Sequence, residues 1–447
     1  MKNLTEGNAF RKLLLFAIPL VISGILSQTY NLIDLIVAGK YIGSDSLSAI
    51  GCTSTFIQFL SSLFWGMGVA SATVCGELYG EGKYDKIVRT VKTVILTVTG
   101  LMVLLTALCI LFSDPILRLL KTDPLIFDDA RRYFRIYMIA LLFQSVTYQI
   151  TSIQQSLGNS RFPMIATTVS SLINLLLNLL FVIALNSGTQ GLAWASVISG
   201  FIGFLMAVWK TVSNIKELGG KNGFDFSAED LKKLLKIALP CILQQCSLYL
   251  SSVIVQPLVN GMGKDVSAGY SVAMNINLLL NAVYHSISRA VASYASQSKG
   301  AGLYRNFGRG IVIGIVQQLM LTLPLALILF LFPDAICGLF VREGETACLP
   351  YATEFVRLCL PFLFFVAFGN LLHSFYKSVE AVKSVLFSTI CFTVARICFT
   401  YLLPPGERLF SVYLGLSLAW VSEAIVLTAI YFTGIWKSKE QRIAEKQ

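Results

Sequence analysis

Apolar runs of about 20 residues, separated by short polar or glycine-punctuated stretches, recur from Phe10 almost to the end of the chain. A helix of about that length crosses the hydrocarbon core of a bilayer. Twelve such runs can be marked off, and they predict an all-α polytopic membrane protein. The first, FRKLLLFAIPLVISGILSQTYNLIDLIVAGKYIG (Phe10 to Gly43), is long and ends in AGKYIG, so it reads as a spanning helix and not as a cleaved signal. Helix 2, about Ser46 to Cys75, is rich in Gly, Ser and Ala, which lets helices approach closely in lipid. The charged stretch GELYGEGKYDKIVR (Gly76 to Arg89) is a loop leading into helix 3. After helix 3 comes an amphipathic piece, then Asp128 and Asp129, which suit the N-terminal dipole of helix 4. GNSRFP (Gly158 to Pro163) forms a tight turn before helix 5, and NSGTQ separates helix 5 from helix 6.

The longest hydrophilic stretch, Lys210 to Lys236, divides the chain near its middle, and the second half repeats the first. LLLFAIPL around Pro19 is echoed by LLKIALPC around Pro240, and GEGKYDKIVR (Gly80 to Arg89) by GAGLYRNFGR (Gly300 to Arg309). The expected organisation is a six-helix lobe over 1–215, a linker over 216–236, and a second six-helix lobe with a tail over 237–447. An even helix number gives both copies one membrane orientation, related by a pseudo-two-fold along the membrane normal. Two such bundles enclose a cleft, the geometry of an alternating-access carrier.

Composition agrees: of 447 residues 55% are hydrophobic and 13% charged, with mean hydropathy +0.71, far from a soluble domain. The net charge of +11 changes the picture only through its distribution. Lys and Arg alternate between rich and poor loops, which argues against a nucleic-acid partner and for the positive-inside rule. Both termini are then cytoplasmic and the protein sits multi-pass in the cell (inner) membrane. The ten cysteines show no metal or redox spacing, although Cys337 and Cys348, near the ends of helices 9 and 10, permit a disulfide without requiring one. No cofactor or metal is implied. The chain has no P-loop of its own with which to couple ATP, no ATPase subunit is expected as a partner, and the loop signature of the major facilitator group is lacking. Without an HExxH helix or a prenyltransferase-like acidic pair, little supports a membrane-embedded enzyme.

Candidate chemistry starts from Asp34, the only charged side chain between Leu13 and Ala38. A charge at bilayer depth costs roughly 2.5 to 3.5 kcal/mol even on gentle scales, which makes it a functional candidate. The alternative is an acid that snorkels or caps near Gly39. Asn174 and Asn178 lie four apart on one face of helix 5, and Ser196 stands one or two turns into helix 6. At about 1.5 Å per residue Asp34, Asn178 and Ser196 reach a similar depth. In the second lobe Val255 stands where the repeat would place Asp34. Gln244, Gln245, Gln256, Asn275 and Asn281, with Tyr30 and Tyr284, are candidates to line a substrate cavity. Arg396 and Glu423 lie inside helices 11 and 12 and are expected to meet as a buried pair. His285 and His373 show no ligand-like spacing and read as packing or cleft residues.

Taken in order, FAIPLVISGILSQTYNLIDLIVAGKYIG, Ala49 and Gly51, GNSRFP, the Asn174 helix, GLAWAS, QSKGAG (Gln297 to Gly302) and GIWK resemble the MATE family, the multidrug and toxic-compound extrusion transporters. The resemblance covers the whole chain. It implies twelve helices in two lobes, a V-shaped central cavity, and export of organic, often cationic, compounds against inward flow of H+ or Na+. By the same resemblance Asp34 matches the helix 1 acid used for cation coupling, and Asn174 and Ser196 match its polar partners. Asn178 stands where DinF-like members have a second Asp, and the acids of NorM-like members are not apparent around Gln245 or Asn370. A single acid among neutral partners favours protons over sodium. The other transporter reading is a lipid-linked oligosaccharide flippase of the wider superfamily.

Overall fold

The computed structural model describes residues 3–37, 41–42, 44–120, 122–217, 225–341, 346–402, 408–437 and 441; the side chains of 30–37, 44–48, 55, 217, 346 and 408 lie outside the described residues. Within them every regular element is helical. The long helices are α1 (Ala9–Val37), α2 (Ser44–Gly80), α3 (Tyr84–Leu111), α4 (Phe127–Ser156), α5 (Arg161–Asn178), α6 (Gly188–Glu217), α7 (Ala228–Asn260), α8 (Lys264–Gly300), α9 (Asn306–Leu331), α10 (Leu349–Ser378), α11 (Val382–Leu402) and α12 (Arg408–Thr433). All twelve are long and apolar enough to span a membrane. The amphipathic piece after α3 is a short helix, Ser113–Leu119. Asp128 and Asp129 fall in the first turn of α4, where Asp128 also pairs with Arg131 at 2.8 Å. In α10 the helix tightens to a 3₁₀ turn at Leu360–Phe362, where Pro361 removes a backbone donor.

The chain forms two compact units, one of Ile18–Ile242 and the other of Leu4–Ala17 with Leu243–Gln447. The change of unit falls within two residues of Pro19 in α1 and of Pro240 in α7, the two prolines that anchor the repeat. It does not fall in the 216–236 stretch read as a linker, because α7 already begins at Ala228. Side chains at 225–233 instead fasten the start of α7 to unit 1. Arg89 grips Asp230 with two bonds of 2.9 and 3.1 Å, Lys233 reaches Glu77 at 2.9 Å, and the Ser227 amide donates to Thr93 at 3.1 Å.

Unit 1 is knitted by close helix approach. A Cβ on Gly68 of α2 would sit 2.5 Å from the Tyr148 ring of α4, and one on Gly203 of α6 would sit 2.7 Å from Ser170 of α5. This is the role expected of small residues where no water drives helices together. Unit 2 has an aromatic core instead, with Tyr284, Tyr413 and Phe355 at 2% exposure or less and the Tyr270 and Tyr413 rings stacked at 6.1 Å. In both units large apolar side chains face outward in helical stripes: Leu101, Leu104, Leu108 and Leu111 on α3, Leu323, Leu327 and Phe330 on α9. Such faces suit lipid.

The repeat is visible in matching helix ends. After α2, Gly82 adopts φ 72° and the Lys83 and Gly82 amides donate back to Leu78 and Tyr79; after α8, Gly302 adopts φ 71° and Leu303 and Gly302 donate to Ser298 and Lys299. These bonds form the left-handed helix cap that favours glycine. A second matched pair of caps has Gly158 at φ 79° after α4 and Glu380 at φ 65° after α10.

Candidate functional site

Unit 1 contains a buried, uncharged polar cluster between α5 and α6. Asn178 Nδ2 donates to Asn174 Oδ1 at 2.6 Å, and Asn174 Nδ2 donates to Ser196 Oγ at 3.3 Å and Ser199 Oγ at 3.1 Å. All four side chains are buried. The Asn pair follows from its one-turn spacing, and Ser196 comes to meet it across a short connection. Ser199 was not read from the sequence, although it lies three residues beyond Ser196 and so on the same face. Immediately after Asn178 the helix widens into one π-helical turn, Leu179–Ala184, a feature that often accompanies functional positions. The α1 backbone runs through Asp34, but the side chains of Asp34 and Tyr30 lie outside the described residues.

Unit 2 holds a second cluster that the sequence did not reveal. His373 on α10 sits 3.0 Å through Nε2 from Ser388 Oγ on α11, and its Nδ1 lies 3.4 Å from Gln244 Nε2 on α7. Since an amide nitrogen can only donate, Nδ1 accepts and Nε2 carries the proton in this arrangement. Glu423 Oε1 on α12 is 3.3 Å from His373 Nε2, yet it makes no hydrogen bond among the described residues. The imidazole proton points at Ser388. Gly369, one turn before His373, faces the carboxylate: a Cβ there would lie 3.6 Å from Glu423 Oε2, an ordinary van der Waals contact. Lys377 is within electrostatic range of both Glu423 and His373. Asn370 continues the polar line, donating to Asn281 Oδ1 at 3.1 Å, and Asn281 donates to Asn277 Oδ1 at 3.0 Å.

The expected Arg396–Glu423 pair does not form. Arg396 Nη1 donates to Ser251 at 2.9 Å and Ser252 at 3.1 Å, and Nη2 to Tyr270 at 3.4 Å. The reason is register. Arg396 lies six residues before the end of α11 and Glu423 fifteen after the start of antiparallel α12. At about 1.5 Å per residue their depths differ by about 13 Å.

The remaining cavity candidates scatter. Gln244 is buried as the His373 partner, and Tyr284 is fully enclosed in the aromatic core and does not line an open surface. Gln256 turns to Asn260 at 2.8 Å, near the end of α7. Gln245 and Asn275 are half-buried, and Asn281 joins the asparagine line. Cys337 and Cys348 are buried and not joined to each other in a disulfide. Burial, with nearby Asp334, pushes the Cys337 thiol up to about 11, so it is no ready thiolate.

Twelve apolar helices in two sequence-related halves, each half with a buried polar centre, define a multi-pass membrane carrier. The MatE family profile matches residues 19–180 and 240–402, two copies that open at Pro19 and Pro240. The chain therefore belongs to the MatE family, and it is a transporter and not an enzyme. Among its relatives, the probable multidrug resistance proteins YpnP and YoeA of Bacillus subtilis are 23% and 24% identical over 97% and 98% of this chain and 97% and 96% of their own lengths. The fold is that of the crystallised MATE transporter VcmN of Vibrio cholerae, with TM-score 0.90, 17% identity, and 97% and 98% of the two chains covered.

Proposed function

We propose that this chain is an antiporter that exports organic, cationic or amphiphilic, drug-like compounds by alternating access, driven by inward proton flow in preference to sodium. The names of the B. subtilis relatives, both probable multidrug resistance proteins, support the cargo class. The observation that carries the coupling is the buried, neutral Asn178–Asn174–Ser196/Ser199 chain. It supplies hydrogen bonds without charge in the unit whose first helix holds Asp34. A single carboxylate among neutral amides and hydroxyls is neutralised by one proton, and Asn178 stands where a sodium site built on several carboxylates would call for a second acid. Protonation from outside favours a state of lower affinity for a cationic cargo, and cargo binding in turn favours release of the proton. The Lys and Arg bias of the loops supports placement in the cell membrane with both termini cytoplasmic. The test is ethidium efflux by purified protein in vesicles under imposed proton or sodium gradients. Asp34→Asn should abolish the proton-driven component; retained, fully gradient-dependent efflux in that variant overturns the assignment.

The unbonded Glu423 oxygen beside His373 favours a second reading in which unit 2 also takes up a proton during the cycle. Glu423→Gln in the same vesicles separates the two: loss of efflux with Asp34→Asn but not with Glu423→Gln leaves unit 1 alone responsible.

A further inference from the structure

Arg396 is a buried charge in unit 2 without a counter-charge. Its guanidinium, on a side chain 6% exposed, is held only by the hydroxyls of Ser251 and Ser252 on α7 and Tyr270 on α8. No carboxylate pairs with it among the described residues. Hydroxyls satisfy N–H donors but leave the charge in place, and an uncompensated charge at membrane depth is costly. Ionisable residues kept there mark a ligand or a pathway.

Of the three partners, Ser252 is the one with an exposed side chain. The second half of α7 has two accessible faces. Leu243, Leu250 and Val253, 48 to 55% exposed, form an apolar one that suits lipid. About a third of a turn away, Tyr249, Ser252 and Gln256 form the other, spaced three and four apart. Ser252 stands eight residues, about 12 Å, before the end of the helix at Asn260. Hydrocarbon cannot satisfy polar atoms at that depth, so this face meets water in a cavity.

Donors are in surplus on it. Ser252 Oγ accepts from Arg396 Nη1 at 3.1 Å, so its own proton turns elsewhere, and within the helix it finds only a long 3.5 Å contact with the Leu248 carbonyl. The Tyr249 hydroxyl, one turn earlier, has no hydrogen-bond partner among the described residues. We propose that this face binds the carboxylate of a zwitterionic cargo, which accepts from Ser252 and Tyr249 while Arg396 supplies the counter-charge through Ser252. One guanidinium matches a monoanion and not a pyrophosphate. The proposal rests on the reading of the chain as an exporter of amphiphilic organic compounds, and it adds a carboxylate to that cargo.

Rhodamine B and its ethyl ester provide the test, because they share one cationic ring system and only the acid carries a carboxylate. Fluorescence polarisation of each dye with the purified protein at neutral pH should give rhodamine B the lower Kd by roughly 10- to 100-fold, the worth of a hydrogen bond to a charged group. Arg396→Gln should abolish that preference. Ser252→Asp sets an acid against the guanidinium, neutralising it without stranding a charge; there too the preference should vanish, while the unfolding temperature holds or rises. A preference lost in both variants supports the site even if ethidium efflux fails, an outcome that overturns the exporter reading alone. Equal affinity for the two dyes, no binding of rhodamine B to the parent protein, or a preference that survives in Ser252→Asp overturns the site.

Discussion

The interiors of the two units are built on related sequence but differ in their chemistry. Unit 1 buries neutral amides and hydroxyls that bond one another, Asn178 to Asn174 to Ser196 and Ser199. Unit 2 buries ionisable groups: His373 beside a Glu423 oxygen that lacks a hydrogen bond, and Arg396 held only by hydroxyls. A neutral hydrogen-bonded network carries no desolvated charge and stabilises the fold in which it sits. A buried carboxylate with a free oxygen costs stability and is the kind of group a protein keeps for function. The two centres should therefore respond unequally to the removal of their polar atoms.

The largest expected effect is in unit 1. Asn174→Leu removes the acceptor of Asn178 and the donor to two serines, all buried. At about 1 to 3 kcal/mol for each buried group left unsatisfied, the loss should come to about 2 to 4 kcal/mol. Glu423→Leu removes a carboxylate that is already underbonded and should change stability by less than about 1 kcal/mol, with either sign. Thermal or denaturant unfolding in one detergent orders the two. A Glu423→Leu loss equal to that of Asn174→Leu breaks the contrast.

The next effect sharpens the account of unit 2. Arg396→Ala strips partners from Ser251 and Tyr270 but strands no acid, so its cost should be about 1 to 3 kcal/mol, below the about 3 to 5 kcal/mol of breaking a true buried ion pair. Because Arg396 and Glu423 do not touch, the losses for Arg396→Ala and Glu423→Ala should add to within about 0.5 kcal/mol in the double variant. A coupling larger than about 1.4 kcal/mol, a factor of ten at about 25 °C, would show that the two charges do sense each other.

How much of this architecture was legible in the sequence depends on how local each signal is. The twelve spans were legible because a bilayer imposes one length on every helix. The repeat was legible because Gly82 and Gly302 stop their helices in a conformation that other residues resist. Asn174 and Asn178 were legible because four residues make one turn. His373 and Glu423 were not, for they come from α10 and α12 and meet only through tertiary register. The same blindness to depth produced the false Arg396–Glu423 pair: two charges in adjacent antiparallel helices meet only if their distances from the shared turn agree. Hydrophilicity marks 216–236, whereas the compact units change near Pro19 and Pro240, because packing contacts are not written in local polarity.

The smallest expected effect tests the repeat at its one matched cap that lacks glycine in unit 2. Gly158 holds φ 79° after α4, and Glu380 holds φ 65° after α10. A residue with a Cβ adopts that region at a cost of about 1 to 2 kcal/mol. Glu380 offsets part of it through a 2.9 Å bond to Lys299, whose side chain is only 11% exposed. A partly exposed pair of this kind contributes about 0.2 to 1 kcal/mol. Glu380→Gly removes the strain and the ion pair together, so stability should shift by no more than about 1 kcal/mol, on balance upward. Gly158→Ala has no ion pair to lose and adds the strain outright, so it should destabilise by about 1 kcal/mol. Unfolding midpoints of the two variants, measured at low salt and again at about 0.5 M salt, discriminate further: screening weakens the Lys299 bond of the parent protein, so the advantage of Glu380→Gly should grow with salt while the deficit of Gly158→Ala stays constant. An advantage that shrinks with salt would mean that Glu380 is kept for something other than its bond to Lys299.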